Sequence, residues 1–371
     1  MVDLLGQYQK IKPEIDAVLQ EVIQSTSFIK GPAVEIFERH LEKYLGVNHV
    51  ITCGNGTDAL QLALMALDLE PGDEVITTSF TFIATAEVIA LLKLTPVLVD
   101  ALPDTFNIDP EAVEKAITPK TKVIIPVHLF GQAADMSRIK GIAEKHNLYI
   151  IEDTAQALGA EIQFSNKIKK AGTIGDIGCT SFFPSKNLGA FGDGGAIFTD
   201  NDELASKLKV LANHGMKVRY YHDYIGMNSR LDSIQAAILN VKLKYLDEYA
   251  AARQKAADFY NKTFEGCVKL QTPVTAEFTN HVFHQYTLVL KNVDREGLMK
   301  HLAGKGIASA IYYPVPLHLQ KAYSDPRYKE GDFPVAELLS ESVLSLPIHT
   351  ELTDVMQKEI ADAVLEFISQ H

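Results

Sequence analysis

The strongest constraint on the fold is a regular alternation of short β-branched segments with helical segments between residues 49 and 199. Strands that alternate with helices predict a mostly parallel sheet covered by helices on both faces. Strand-like segments lie at residues 49–53, 74–78, 96–99, 122–128, 148–152, 179–183 and 195–199. The sequence therefore predicts an α/β fold with a seven-stranded, mostly parallel sheet.

Helical periodicity connects most of these segments. Helices are predicted at residues 13–24, 34–44, 58–67, 85–92, 110–117 and 136–146. The pair Asp109–Pro110 has the composition of a helix start, with an N-cap followed by proline at the first helical position.

The pattern changes after Ser233. A long helical segment from residue 233 to about 264 is predicted to act as a connector, and strand-like runs follow at 285–290 and 308–311, before a final helix at 354–368. A chain of 371 residues also exceeds one average domain. We therefore predict a large α/β domain at residues 1–250 and a small C-terminal α+β domain at residues 251–371.

Composition excludes several classes of partner. The net charge of −12 argues against nucleic acid or an anionic membrane surface. The three cysteines are scattered and lack metal-ligand spacing, so no metal site is expected. The N-terminal residues lack the pattern of a signal peptide, and no apolar stretch is long enough to span a bilayer. We expect a cytoplasmic protein.

One lysine, Lys186, lies in a glycine-rich loop between the last two predicted sheet strands. Most lysines in such loops are solvated turn residues. Here Phe182, Phe183 and Leu188 surround the position with apolar side chains. Because desolvation lowers the pKa of a lysine, the amine at this position could react with a carbonyl group as a nucleophile.

Ligands of open parallel sheets bind at the carboxyl ends of the strands. The segment Gly54–Thr57 follows the first strand and opens a helix, which favours an anion such as phosphate but also suits a simple turn. Phe82 follows the second strand and offers an aromatic face or a core residue. Asp153 follows the 148–152 strand and is either a helix N-cap or a carboxylate that needs a cationic partner.

Together with Lys186, these residues form the set that pyridoxal 5′-phosphate requires. The phosphate needs an anion site, the ring needs an aromatic face, the pyridine nitrogen needs a carboxylate, and the aldehyde needs an amine. A nicotinamide cofactor fits less well, because no G-x-G-x-x-G motif follows an early strand.

The sequence resembles the DegT/DnrJ/EryC1/StrS family of pyridoxal-phosphate-dependent sugar aminotransferases of fold type I over essentially its whole length. The matching motifs are G-N-G-T-D-A-L (54–60), G-D-E-V-I-T (72–77), I-E-D-T-A-Q (151–156), S-F-F-P-S-K-N-L-G (181–189), G-D-G-G-A-I-F-T (192–199), G-M-N-S-R-L-D-S-I-Q-A-A-I-L (226–239) and Y-P-V-P-L-H-L-Q (313–320). The resemblance implies that Lys186 binds the cofactor covalently and acts as the catalytic residue, and that Asp153 pairs with the pyridinium.

The resemblance also implies further cofactor contacts. Gln156 would lie near the ring hydroxyl, and Phe82 would stack on the ring. The phosphate would be held by Gly56, Thr57, Ser181 and, from a neighbouring subunit, Asn228. A homodimer with shared active sites follows from that last role.

The resemblance implies that L-glutamate donates the amino group, leaving 2-oxoglutarate, and that a nucleotide-linked keto-sugar accepts it. Residues 214–232 are most similar to enzymes that aminate UDP-2-acetamido-2-deoxy-3-oxo-D-glucuronate for bacterial surface polysaccharide. Arg230 would bind the sugar carboxylate as a bidentate partner. Tyr312, Tyr313 and His318 are further expected substrate-binding residues.

One departure from that pattern leaves the substrate open. Tyr312 stands where the uronic acid enzymes tend to have histidine, so a dTDP-linked 3-oxo- or 4-oxo-6-deoxyhexose is the alternative acceptor. Related sugar dehydratases have histidine in place of Lys186, which disfavours that activity here. A non-catalytic regulatory relative would be expected to lose part of the lysine, aspartate and phosphate set, and none is lost.

Overall fold

The structure, a computed structural model, describes residues 1–370. Its α-helices are α1 (Leu4–Ser25), α2 (Pro32–Leu45), α3 (Gly56–Ala66), α4 (Ala84–Leu91), α5 (Pro110–Ala116), α6 (Met136–His146), α7 (Asp202–Leu211), α8 (Ser233–Leu243), α9 (Leu246–Thr263), α10 (Arg295–Gly304), α11 (Pro334–Ser342) and α12 (Asp354–Gln370). Its strands are β1 (His49–Cys53), β2 (Glu74–Thr78), β3 (Thr95–Val99), β4 (Thr121–Ile125), β5 (Tyr149–Asp153), β6 (Glu161–Phe164), β7 (Lys167–Lys170), β8 (Ile177–Ser181), β9 (Gly195–Thr199), β10 (Met216–Val218), β11 (Tyr221–His222), β12 (Leu270–Gln271), β13 (Tyr286–Leu290) and β14 (Val343–Leu346). None of the helices within residues 1–370 is long and apolar enough to cross a membrane.

The central sheet has seven strands in the order β1-β9-β8-β5-β4-β2-β3. Strands β3, β2, β4, β5 and β8 pair in parallel, whereas β9 is antiparallel to both of its neighbours. The predicted seven-stranded, mostly parallel sheet is therefore confirmed. Because β8 and β9 are adjacent, the loop that carries Lys186 begins and ends at neighbouring positions on one edge of the sheet.

Helices cover both faces of this sheet. Alternate residues of one strand point to opposite faces, and the residues of β4 divide in this way: Val123 and Ile125 join a core cluster with α3, α4 and α7, while Ile124 joins one with α5 and α6. Near β1 and β9, α2 and α8 form a further cluster. Burial on both faces explains why these strands are continuous apolar runs.

The C-terminal region has its own antiparallel sheet, β12-β13-β14, which packs against α9, α10 and α12 in one core cluster. The predicted strand at 308–311 was wrong, because Ala310 makes only an isolated bridge to Ser345. Strand β13 pairs with β12 and β14, and both of these short strands were missed; β14 directly follows α11. The predicted connector helix is two helices, and the proposed domain boundary at residue 250 falls inside the second, α9.

Two short hairpins and one helix start were also missed. The β6–β7 hairpin turns at Ser165 and Asn166, whose φ angles of 48° and 61° match the left-handed turn that a two-residue hairpin needs. The other hairpin is β10–β11. Helix α1 starts at Leu4 rather than residue 13, since the Asp3 side chain accepts a hydrogen bond from the Gly6 amide at 2.8 Å.

The close approach of β9 to the loop before α3 predicts a strict requirement for glycine at position 195. A Cβ atom at Gly195 would lie 2.4 Å from the Asn55 carbonyl oxygen. We expect Gly195→Ala to lower the free energy of unfolding by about 1–3 kcal/mol or more, because overpacking forces the backbone to shift. Urea denaturation followed by circular dichroism measures the change.

Gly141→Ala is the matched control. Gly141 lies inside α6, and a Cβ atom there would meet nothing within 4 Å. Replacing a helical glycine by alanine at such a site should stabilise the protein by up to about 1 kcal/mol. Equal effects of the two substitutions would contradict the proposed close contact.

Candidate active site

A cavity of about 790 Å³ lies at the carboxyl ends of the sheet strands. Asp153 ends β5, Ser181 ends β8, and the loop before α3 follows β1. Nine predicted site residues line this cavity: Gly56, Thr57, Phe82, Asp153, Gln156, Ser181, Lys186, Tyr312 and Tyr313. Residues from distant parts of the sequence therefore line one cavity.

The start of α3 forms an anion site on one wall. The Asn55 side chain caps the helix by accepting a hydrogen bond from the Asp58 amide at 2.8 Å. The amides of Gly56 and Thr57 have no hydrogen-bond partner within residues 1–370. A Cβ atom at Gly56 would lie 2.6 Å from the Cβ of Ser181, so only glycine fits there. Free amides and the helix dipole favour a phosphate at this point.

The Asp153 carboxylate lies on the cavity wall and is 6% exposed. It accepts hydrogen bonds from the Thr85 hydroxyl and the Ala155 amide, both at 3.1 Å. Burial raises the pKa of this carboxyl above its ordinary value, while these hydrogen bonds and the charge of Lys186 act in the opposite direction. A protonated ring nitrogen would complete its interactions.

Lys186 is held by a tight loop. The Lys186 amide donates to the Phe183 carbonyl and the Ala190 amide to the Phe182 carbonyl, both at 2.8 Å. The side chain keeps some exposure because it lines the open cavity. Burial lowers the pKa of the Lys186 amine to about 8, partly offset by the Asp153 carboxylate. The neutral fraction of this amine near neutral pH is therefore larger than that of an ordinary lysine.

Aromatic and amide side chains form the opposite wall. The Phe82 ring is 54% exposed, and its centroid lies 6.2 Å from that of Tyr313. The Gln156 amide donates to the Tyr313 hydroxyl at 2.8 Å and accepts from the Phe130 amide at 2.8 Å. Burial raises the pKa of Tyr313, so its hydroxyl keeps a proton that it can donate to a ligand.

Three predicted residues lie outside this cavity. Asn228 is exposed, and Arg230 lines a separate cavity of about 330 Å³. His318, expected at the substrate, is 3% exposed and instead hydrogen-bonds Ser79 Oγ at 2.7 Å and Glu337 at 2.9 Å. These contacts hold the segment after β2 against α11.

Sequence reasoning missed two cavity residues with an unsatisfied polar atom, Thr81 and His284. His284 is 6% exposed and lines the cavity, and its Nδ1 has no hydrogen-bond partner within residues 1–370. Burial, and after it the charges of Lys186 and Arg253, lowers the pKa of this imidazole well below its ordinary value. His284 precedes β13 rather than following a sheet strand, so the strand-end rule could not find it. The motif H-V-F-H at 281–284 was the available signal.

These residues fit pyridoxal 5′-phosphate. The anion site at α3 suits the phosphate, Asp153 suits the pyridine nitrogen, Lys186 suits the aldehyde and Phe82 suits the ring. The orphaned hydroxyl of Thr81 and the orphaned Nδ1 of His284 add polar groups for a ligand. Within residues 1–370 no group of three His, Cys, Asp or Glu side chains could hold a metal ion.

The model of the DegT/DnrJ/EryC1/StrS aminotransferase family matches residues 9–365. The chain belongs to this family. It is 48% identical to a pleiotropic regulatory protein of Geobacillus stearothermophilus, over 99% of this chain and 98% of that one. It is 45% identical to a UDP-2-acetamido-2-deoxy-3-oxo-D-glucuronate aminotransferase of Pseudomonas aeruginosa, over 98% of both chains. It is also 45% identical to a UDP-N-acetyl-3-dehydro-alpha-D-glucosamine 3-aminotransferase of Acidithiobacillus ferrooxidans, over 98% of this chain and 96% of that one.

Solved structures show the same fold. An aminotransferase of this family from Brucella abortus superposes with a TM-score of 0.93 at 41% identity, covering 99% of this chain and 98% of that one. NtdA from Bacillus subtilis, solved with the cofactor PMP bound, superposes with a TM-score of 0.89 at 35% identity, covering 97% of this chain and 82% of that one. The protein is an aminotransferase of the pyridoxal-phosphate-dependent type, and its expected fold is confirmed.

The lowered pKa of Lys186 predicts unusual reactivity in the cofactor-free protein. Only a neutral amine is acylated, so modification of Lys186 should rise with pH and reach half its maximum near pH 8 rather than near the ordinary value of 10.5. Acetylation across a pH series, followed by mass spectrometry of the peptide that contains Lys186, measures this midpoint.

Asp153→Asn is the control for the electrostatic part of this effect. The Asp153 charge raises the pKa of Lys186, so its removal should move the midpoint below that of the wild type. A wild-type midpoint near 10.5, or one that rises in Asp153→Asn, would contradict the described environment of the amine.

Proposed function

We propose that the protein transfers the amino group of L-glutamate to carbon 3 of UDP-2-acetamido-2-deoxy-3-oxo-D-glucuronate, as a cytoplasmic homodimer that serves surface polysaccharide biosynthesis. The observation that carries the proposal is the placement of Lys186, Asp153 and the anion site of α3 around one cavity. The relatives from P. aeruginosa and A. ferrooxidans, both named for UDP-linked 3-oxo sugars, support this substrate class.

Pyridoxal 5′-phosphate supplies an electrophilic aldehyde and a ring that accepts electrons from the substrate carbon. Lys186 holds the cofactor between turnovers. Once released, its Nζ takes a proton from the α-carbon of glutamate, and in the second half of the cycle it delivers a proton to the sugar carbon. The neutral fraction implied by a pKa of about 8 suits an amine that must both accept and give a proton.

The other residues bind and orient. With the cofactor bound, Asp153 would keep the ring nitrogen protonated, the amides of Gly56 and Thr57 would hold the phosphate with Ser181, and Phe82 would lie against the ring. The Tyr313 hydroxyl, fixed by Gln156, donates into the cavity. The net reaction converts glutamate and keto-sugar into 2-oxoglutarate and amino-sugar.

The charges of the cavity support a shared active site. Its lining includes the carboxylates of Asp58, Asp153 and Asp193, but Lys186 is the one lysine or arginine among the described residues that line it. The proposed ligands carry a phosphate, a diphosphate and carboxylates, so further cations must come from outside this cavity. Arg230 makes no ion pair within residues 1–370, and it is available to a second copy.

An exposed apolar surface close to Asn228 in the sequence also supports a dimer. Tyr220, Tyr221 and Ile225 are 76%, 71% and 93% exposed. Single exposed apolar side chains are ordinary, but several of them close in sequence to a proposed site residue favour an interface. In the proposed dimer, Asn228 of one copy reaches the phosphate of the other and Arg230 reaches the sugar.

A half-reaction titration tests the substrate. The purified enzyme is converted to its aminated form with glutamate, and each keto-sugar nucleotide is added while the visible absorbance of the lysine-bound cofactor is followed. We expect UDP-2-acetamido-2-deoxy-3-oxo-D-glucuronate to restore this band most efficiently. The second candidate is a dTDP-linked 6-deoxy keto-sugar, which is favoured by Tyr312 because this phenol in the cavity lining carries no positive charge. If that sugar restores the visible band faster than the uronic acid does, it replaces the uronic acid as the proposed substrate.

Arg230→Met isolates the role of the sugar carboxylate. A charge-assisted bidentate contact contributes about 1.5–3 kcal/mol, so kcat/KM for the uronic acid should fall about 10- to 100-fold. For UDP-N-acetyl-3-dehydro-α-D-glucosamine, which lacks the carboxylate, the fall should be much smaller. An equal fall for both sugars would contradict the carboxylate contact.

A further inference from the structure

Lys242 of α8 is only 2% exposed, and lysines are almost never buried to this extent unless they are paired. Its Nζ donates a hydrogen bond to the Gly189 carbonyl at 2.5 Å and lies 5.6 Å from the centroid of the Phe191 ring. Within residues 1–370 it has no carboxylate partner. A cation at this depth is therefore held by one backbone carbonyl and one aromatic face.

The carbonyl that Lys242 binds belongs to the loop of Lys186. Gly189 follows Lys186 by three residues, at the point where the loop returns toward β9. A Cβ atom at Gly189 would lie 2.2 Å from the Pro184 carbonyl oxygen, so the loop closes on itself tightly here. Lys242 does not line the active-site cavity and thus contacts this loop from the side of the core.

The same face of α8 makes a second contact with the loop. Gln235 accepts a hydrogen bond from the Phe191 amide at 2.8 Å. Gln235 and Lys242 are seven residues apart, which places them two turns apart on one face of the helix. The Asn187 side chain donates a hydrogen bond through its Nδ2 to the Val282 carbonyl at 3.0 Å. The segment from Asn187 to Phe191, directly after Lys186, is therefore fixed by side chains that do not line the cavity.

A structural role alone explains the lysine poorly. Burying a cation carries a desolvation cost, and apolar residues of similar volume often replace buried charges without loss of stability. Methionine would fill much of the same space and follow the same path. The retained charge and donor point to a requirement for the position of the Gly189 carbonyl.

We propose that Lys242 is a positioning residue for Lys186, holding the Gly189 carbonyl so that the amine keeps its place in the cavity. The role rests on the proposed function of Lys186. A displacement of a reacting group by about 1 Å can lower the rate about 100-fold. Loss of the Lys242 donor should therefore affect turnover and cofactor retention more than substrate affinity or stability.

The test uses the full chain loaded with pyridoxal 5′-phosphate. For Lys242→Met we expect kcat to fall about 10- to 100-fold, with KM for both substrates within about threefold of the wild type. The rate of cofactor release, measured without substrate by the decay of the visible band, should rise. Lys242→Gln keeps an N–H donor and should recover most of the loss of kcat. If Lys242→Met does not fold, Gln235→Leu removes the other contact of α8 with the loop and should show the same pattern.

Two control variants separate position from stability. Ile238 is 1% exposed on α8 and packs against α1, away from the loop, so Ile238→Ala should lower the melting temperature and leave kcat and cofactor release unchanged. Lys244→Met changes a lysine at the end of α8 whose side chain is 62% exposed. This substitution should change neither kcat nor the rate of cofactor release.

Wild-type values of kcat and cofactor release in Lys242→Met would overturn the proposed role. The role would also be overturned if Ile238→Ala lost as much kcat as Lys242→Met when the two variants have the same melting temperature. These outcomes leave the proposed function intact as long as the wild-type protein shows the visible band. A wild-type protein without that band overturns both proposals together.

Discussion

The structure depends on keeping a lysine amine and a carboxylate in one poorly solvated cavity without letting either become an unsatisfied buried charge. Removing water lowers the pKa of Lys186 to about 8 and raises that of Asp153, and each charge partly offsets the other. Hydrogen bonds from Thr85 and Ala155 hold the carboxylate in place. The amine stays reactive because the surrounding loop, and not a salt bridge, fixes its position.

The parallel sheet brings these groups together because the carboxyl ends of its strands lie at one edge. Strands β5 and β8 end at the same edge, which places Asp153 and Ser181 on the wall of one cavity, and the helix that follows β1 directs free amides toward the same space. Antiparallel β9 next to β8 then returns the Lys186 loop to the sheet. Helix α8 holds that loop from the core side through Gln235 and Lys242. The rigid sheet fixes the carboxylate and the anion site, and side chains on a helix fix the amine.

Residues at strand ends could be predicted from sequence, because strand order and helix starts depend on local patterns. Asp153, Gly56 and Lys186 follow apolar runs whose boundaries differ from the observed strands by only a few residues. His284 and Lys242 could not be found in this way, since neither follows a strand of the central sheet, and a single lysine in an apolar helix has no distinguishing pattern. The strand β14 was missed because its four residues gain their partner only through tertiary contact with β13. His318 looked available for substrate in sequence, yet its partners Ser79 and Glu337 come from distant segments.

The central claim is that Lys186, among all the lysines of this chain, carries the cofactor. Borohydride reduction of the loaded protein fixes the cofactor to its lysine, and peptide mass spectrometry then identifies the modified residue. We expect a phosphopyridoxyl group on the peptide that contains Lys186 and on no other. Modification of Lys242, the other buried lysine whose pKa is lowered to about 8, or no modification at all, would contradict it.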